Sequence, residues 1–191
     1  MTFSNKKLAG LLLFIGTTIG FFGIIIAETR TPNYSTANNY ISDLGIGPSA
    51  TIFNAALIIA GALGAASAYF LHRTFKTKLF PTLVGLSSLG SLGVGLFPEN
   101  TGIPHVIAAL LVFILGGLAA IISYRFTKTP FAQVSVALGA ITFLAFILLV
   151  TDITLGLGAG GMERMIAYPS MLWSIGFGGY LMAESNPKLV N

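Results

Sequence analysis

No cysteine occurs anywhere in the 191 residues, and only 8% of them carry a charge. The first absence removes disulfides, thiolate metal centres and a cysteine nucleophile, and it leaves the redox compartment open. The second sets the chain far from soluble domains, in which about a quarter of residues are charged. Histidine is nearly missing too, with two in the chain. His72 sits beside Arg73 and apart from the other candidate residues, which disfavours a haem held by two imidazoles inside a membrane.

What is present is apolar. Hydrophobic residues make up 54% of the chain, and the mean hydropathy is +0.86. Crossing a hydrocarbon core takes about 20 apolar residues. Runs of that kind occur at Leu8–Ala27, Ala50–Leu71, Leu79–Phe97, Ile103–Tyr124, Phe131–Val150 and Met165–Met182. They predict an all-α membrane protein, a single bundle of six transmembrane helices occupying residues 1–191. Prolines stand before or early in five of them, Pro48, Pro81, Pro104, Pro130 and Pro169, where a missing N–H does little harm. Lys6 and Lys7 before the first run resemble the start of a signal peptide. Ile25, at the position signal peptidase wants small, and the length of the run predict that the segment is retained.

Net charge is +4, which in a soluble protein would suggest nucleic acid, but here the positive residues fall in short loops between apolar runs. Lys6, Lys7, Arg73, Lys76, Lys78, Arg125, Lys128 and Lys188 share one side, against Arg30 and Arg164 on the other. The positive-inside rule makes the first side cytoplasmic, and an even number of spans then puts both termini in the cytoplasm of a multi-pass cell-membrane protein. No nucleic-acid partner is expected. Glycine and alanine line the second and third runs (Gly61, Gly64, Ala68, Gly85, Gly90, Gly93, Gly95), a pattern that lets helix backbones approach closely. No run carries a charge at its centre, which counts against a transporter.

Acidic residues lie opposite the basic ones: Glu28, Asp43, Glu99, Asp152 and Glu163 map to the outer face, and Glu184 alone lies inside. His105, Ser42, Asn38, Asn39 and Arg164 join them there. The longest connection, Thr29 to Pro48, is expected to fold over that end of the bundle. Within it Ser42 and Asp43 either cap a short helix or aim Asp43 at a ligand, and Asn33-Tyr34-Ser35 is a glycosylation sequon. His105, in the first turn of the fourth run, is a candidate metal ligand, general base or plain interfacial residue. Gly156-Leu157-Gly158-Ala159-Gly160-Gly161 has the spacing of a dinucleotide fingerprint but follows a membrane helix, so flexibility or close backbone approach is its expected role. Glu163 and Arg164 are expected to form a capping and salt-bridging pair.

Two functional classes follow. In the first, Ser42, Asn39, Glu99, Asp152, Glu163 and Arg164 bind a membrane lipid or lipid-linked head group, which the protein binds, senses or processes, with Arg164 pairing phosphate. If it is an enzyme, it is a hydrolase or transferase acting on lipid, with His105 as general base and Asp43 orienting it or holding a metal. A metal at Asp43, His105 and Asp152 would be a divalent cation such as Mn²⁺, Mg²⁺ or Ca²⁺. In the second class the chain is a structural or accessory subunit, its glycine faces docking against other membrane proteins.

The run Tyr40-Ile41-Ser42-Asp43-Leu44-Gly45, with Phe53-Asn54, Phe97-Pro98, His105-Val106, Ala109, Phe113 and Gly116, resembles the prokaryotic membrane family known as domain of unknown function 998. Glu163-Arg164 and Tyr168-Pro169 fit the same pattern. The Ser42-Asp43 loop, the helix beginning at His105 and Trp173-Ser174 are also similar to the eukaryotic damage-regulated autophagy modulators. Relatives of that group include a factor that remodels lipid anchors, so the resemblance implies lipid-related work.

Overall fold

A computed structural model describes residues 4–184. It is 81% helical, without a strand among the described residues, and its backbone follows from the apolar runs. Six helices appear: α1 (Asn5–Arg30), α2 (Ala50–Thr74), α3 (Leu79–Leu96), α4 (Ile103–Phe126), α5 (Phe131–Val150) and α6 (Gly158–Glu184). α1 to α5 are long and apolar enough to cross a membrane. The sixth expected run falls inside α6, which is long enough at 27 residues, or about 40 Å, but less apolar than the others. Lys188 lies outside the described residues.

Local chemistry sets the ends. Ser4 caps α1 by accepting from the Lys7 N–H. Thr31, just past Arg30, donates to the Ala27 carbonyl at 2.9 Å and shares a 2.7 Å hydrogen bond with Ser49 at the start of α2. α4 is not a uniform helix: one π turn, Leu111–Leu115, interrupts it, and turns of that kind rotate the side chains that follow relative to those before. α6 begins at Gly158, earlier than the expected Met165. Pro169 is therefore in the helix interior and not in the first turn as the sequence suggested.

Small residues bring the helices together. A methyl at Gly61 or Gly64 would strike Ser88 of α3, one at Gly95 would strike Asn54 and Ile58 of α2, and Gly90 and Gly93 lie against Ala108 of α4. The glycine faces expected to favour tight packing do so within the bundle, and the ones proposed as docking faces for other subunits are occupied by neighbouring helices. Gly10 of α1 abuts Gly178 of α6, while the start of α6 meets residues 36–39 after α1. The two helices thus run antiparallel, and the start of α1 and the close of α6 share one end of the bundle. That end carries the basic loops and a cluster of Phe75, Phe80, Phe126, Trp173 and Phe177 rings. The opposite end carries Glu28, Asp43, Glu99, Asp152 and Glu163.

Candidate functional site

Between α1 and α2 the chain forms a loop whose second half is one 3₁₀ turn, Ser42–Gly45. Neither Ser42 nor Asp43 caps it. Asp43 reaches backward, its Oδ2 accepting from the Tyr40 N–H at 2.9 Å and from Asn39 Nδ2 at 3.2 Å, while Asn39 Oδ1 accepts from the Ser35 N–H at 3.0 Å. The loop is thus shaped by its own polar side chains, with Ile41 and Leu44 driven into the core.

Arg164 fastens this loop to α6. Its Nε and Nη2 donate to Glu28 Oε1 at 3.1 and 2.6 Å, Nη2 also to the Tyr34 hydroxyl at 2.6 Å, and Nη1 to the carbonyls of Thr36, Asn39 and Gly160 at 2.9, 3.2 and 2.8 Å. Every face of the guanidinium is engaged inside the chain. The expected pairing with a phosphate is replaced by a staple, and the expected ion pair with Glu163 is made with Glu28 instead. Burial pushes the Tyr34 phenol up to about 12, although Arg164 pulls the other way, so the phenol stays a neutral donor, giving its proton to the Tyr40 carbonyl at 2.7 Å. The glycines of 156–161 serve the same contact. A methyl at Gly158 or Gly160 would run into the carbonyls of Ala37 and Asn39, and the Gly160 N–H donates to Ala37 at 2.9 Å. Close backbone approach is their role, made to the chain's own loop.

Glu163, one residue before the staple, points elsewhere. Its Oε2 accepts from the Ile41 N–H. His105 enters from α4, its Nδ1 2.8 Å from the Phe97 carbonyl. A carbonyl only accepts, so Nδ1 carries the proton and Nε2 is left as an acceptor. The Phe97 carbonyl, and not Asp43, orients this imidazole. Glu99, in the turn between α3 and α4, faces Ser42 and Asp43, and its Oε2 is buried with no hydrogen-bond partner. Burial holds the Glu99 carboxyl above the ordinary carboxylate range; Asp43 adds to this, and Ser42 and His105 oppose it.

Ser42, His105 and Glu163 form the polar end of a cavity inside the bundle that is partly open to the outside. Apolar walls follow from Ile24, Phe53, Leu57, Val112, Phe113 and Met171, and the far end is formed by Leu13, Gly64, Trp173 and Ser174. Small residues create the space, since Gly64, Ser87, Ser88, Ser91, Gly116 and Ser170 line it where larger side chains would fill it. The lining runs eleven positions along each of three helices, from Ile24 to Leu13, Phe53 to Gly64 and Glu163 to Ser174. At 1.5 Å per residue this is a depth of about 16 Å.

The candidate residues therefore divide. Ser42, Asp43, Glu99, His105 and Glu163 come together, with Asn39 supporting Asp43. Asp152 does not join them: it is exposed, in a left-handed conformation after α5. Among the described residues no group of three or more His, Asp or Glu side chains is arranged to hold a metal ion, so the trio Asp43, His105 and Asp152 is not assembled as a cation site. Sequence reasoning missed Glu28 and Tyr34 as partners of Arg164. One signal was present, because Tyr168 lies one helical turn after Arg164 on the same face and also reaches Glu28, at 3.5 Å.

No curated protein and no solved structure matches the chain. The family described as Protein of unknown function (DUF998) matches residues 14–179. That stretch runs from within α1 to within α6 and includes the loop, the staple and every residue lining the cavity beyond Leu13, and the chain belongs to this family.

Proposed function

We propose that the acidic end of the bundle holds the head group of a membrane lipid or lipid-linked molecule, with the hydrocarbon part lying in the cavity below. The observation that carries this reading is the match of the cavity to an amphiphile. One end carries the ionisable side chains, the walls are mainly apolar with serines among them, and the depth of about 16 Å is near half of a hydrocarbon core about 30 Å thick, the span of a single leaflet. Seven described Lys and Arg residues belong to the basic end (Lys6, Lys7, Arg73, Lys76, Lys78, Arg125, Lys128), whereas at the acidic end only Arg30 and the internally paired Arg164 are positive. This bias supports a cytoplasmic basic end, six crossings with both termini inside, and a site opening towards the outer leaflet of the cell membrane.

The test is lipid retention. Protein purified from native membranes in a mild detergent is extracted, and its bound lipid is measured by mass spectrometry for the wild type, His105→Ala and Asp43→Asn. His105→Ala removes an acceptor at the polar end, and Asp43→Asn loosens the loop that carries Ser42. Both are expected to retain several-fold less of whatever lipid the wild type enriches over bulk membrane. Equal retention by all three proteins, or no enrichment in the wild type, overturns the reading.

A further inference from the structure

The hydrogen-bonding character of the cavity's polar end narrows the kind of head group that fits. Glu163 is only 8% exposed and His105 7%, and both line the cavity. Glu163 has one oxygen on the Ile41 N–H and none of its remaining acceptor capacity used among the described residues. The His105 Nδ1 proton is committed to the Phe97 carbonyl, so the imidazole offers the space only the lone pair of Nε2. Behind this lining stand two more carboxyls, Asp43 and Glu99, the latter with a buried oxygen that has no partner. Of the two cations at this end, Arg164 is bonded to Glu28, Tyr34 and three carbonyls, and Arg30 is exposed. The Ser42 hydroxyl, facing Glu99, is the remaining donor. The polar end is thus rich in acceptors and poor in donors, and its unengaged ionisable groups are carboxyls and one imidazole, with no free cation lining it among the described residues.

We infer that the occupant is an amphiphile whose head group is a protonated primary amine, and not one recognised through a phosphate. An ammonium brings three donors, no acceptor and a positive charge, matching Glu163 and His105 at the lining and the Asp43 and Glu99 carboxyls behind. A phosphate brings acceptors and negative charge to a place rich in acceptors, with no free cation lining it among the described residues. Burial strengthens the discrimination, because a charge left unpaired away from water is costly. This inference rests on the proposed function above and specifies its ligand.

Trp173, the single tryptophan of the chain, lines the far end of the cavity and reports occupancy directly. The full-length protein in a neutral detergent, near neutral pH where a primary amine is protonated, is titrated with a long-chain primary amine, the alkyl phosphate of equal chain length and the matching alcohol, following Trp173 emission. Saturable change with the amine, and weaker or no change with the phosphate, is the expected result. Glu163→Gln and Glu99→Gln are each expected to weaken amine binding by about tenfold or more, the effect of losing a charged hydrogen-bond partner. The alcohol should bind the wild type and both variants alike. Should Glu163→Gln fail to fold, Glu99→Gln gives the same readout from outside the helices. Phosphate binding as tightly as amine, or amine binding unchanged in the folded variants, overturns the amine assignment and leaves a lipid-binding cavity standing. Silence with all three amphiphiles overturns both.

Discussion

Replacing Arg164 with methionine should loosen the acidic end more than any other single change of charge in the chain. Methionine keeps an unbranched apolar stem and removes only the guanidinium. What is lost is the 2.6 Å ion pair to Glu28, whose side chain is 17% exposed against 9% for Arg164, together with bonds to three carbonyls and the Tyr34 hydroxyl. Removing one partner of a buried pair costs about 3–5 kcal/mol because the other charge is left uncompensated. The residual exposure of Glu28 lets water take up part of the loss, which puts the expectation at the lower limit, about 3 kcal/mol. Arg30→Met, at an exposed position on the same end, should change stability by no more than about 0.5 kcal/mol. The assay is equilibrium unfolding in detergent micelles. Glu28→Gln in the Arg164→Met background should restore about 1–3 kcal/mol, because the stranded carboxylate is gone. Arg164→Met and Arg30→Met with indistinguishable unfolding curves would refute the staple.

Gly160→Ala places a methyl against the Asn39 carbonyl and should destabilise by about 1–3 kcal/mol in the same unfolding assay. Gly179→Ala, with open space around it in the same helix, should be neutral or stabilising by up to about 1 kcal/mol. Because the Glu99 carboxyl is held above its ordinary 4.5 in the folded protein, its contribution to stability is fully present below that value and lost as pH rises through the raised one. Melting temperatures followed upward from acid pH should show this fall, and Glu99→Gln should flatten it. The chain has no cysteine, so single cysteines at the exposed positions Asn38, Asn100 and Lys76 can be labelled in intact cells with an impermeant maleimide. Asn38→Cys and Asn100→Cys should react and Lys76→Cys should not; the reverse pattern would invert the proposed topology.

How much of this could be read from the residues alone differs between the helices and the site. Apolar runs of spanning length are a one-dimensional signal, and five of six helices followed from it within a few residues. That Ser42, Asp43, Glu99, His105 and Glu163 lie at one end was also legible, since short alternating connections place those positions there, but the same reasoning placed Asp152 with them and Asp152 stands apart. Which groups touch was not. The Arg164–Glu28 pair joins residues 136 apart in sequence, and nothing in composition distinguishes it from the Arg164–Glu163 pair that adjacency suggested. Adjacent residues on a helix point about 100° apart, so Glu163 and Arg164 serve different neighbours, one the Ile41 N–H and the other Glu28. The π turn in α4 had no signal either, there being no proline or polar residue within Leu111–Leu115 to mark it.

The helix least like a membrane span is the one that builds the site, and the two facts have one cause. α6 carries Glu163, Arg164, Tyr168 and Pro169 within two turns, enough polarity and backbone interruption to keep it from the apolar composition of the other five. Each of the three polar side chains has a specific partner. The Ile41 N–H meets Glu163, and Glu28 meets Arg164 and Tyr168; separately, the Thr142 hydroxyl of α5 donates to the Ile166 carbonyl at 3.2 Å. A polar group held at membrane depth is costly unless it is paired. Glu163 has more acceptor capacity than the chain itself uses, so the ionisable side chain of α6 that lines the cavity is the one through which a ligand would be recognised.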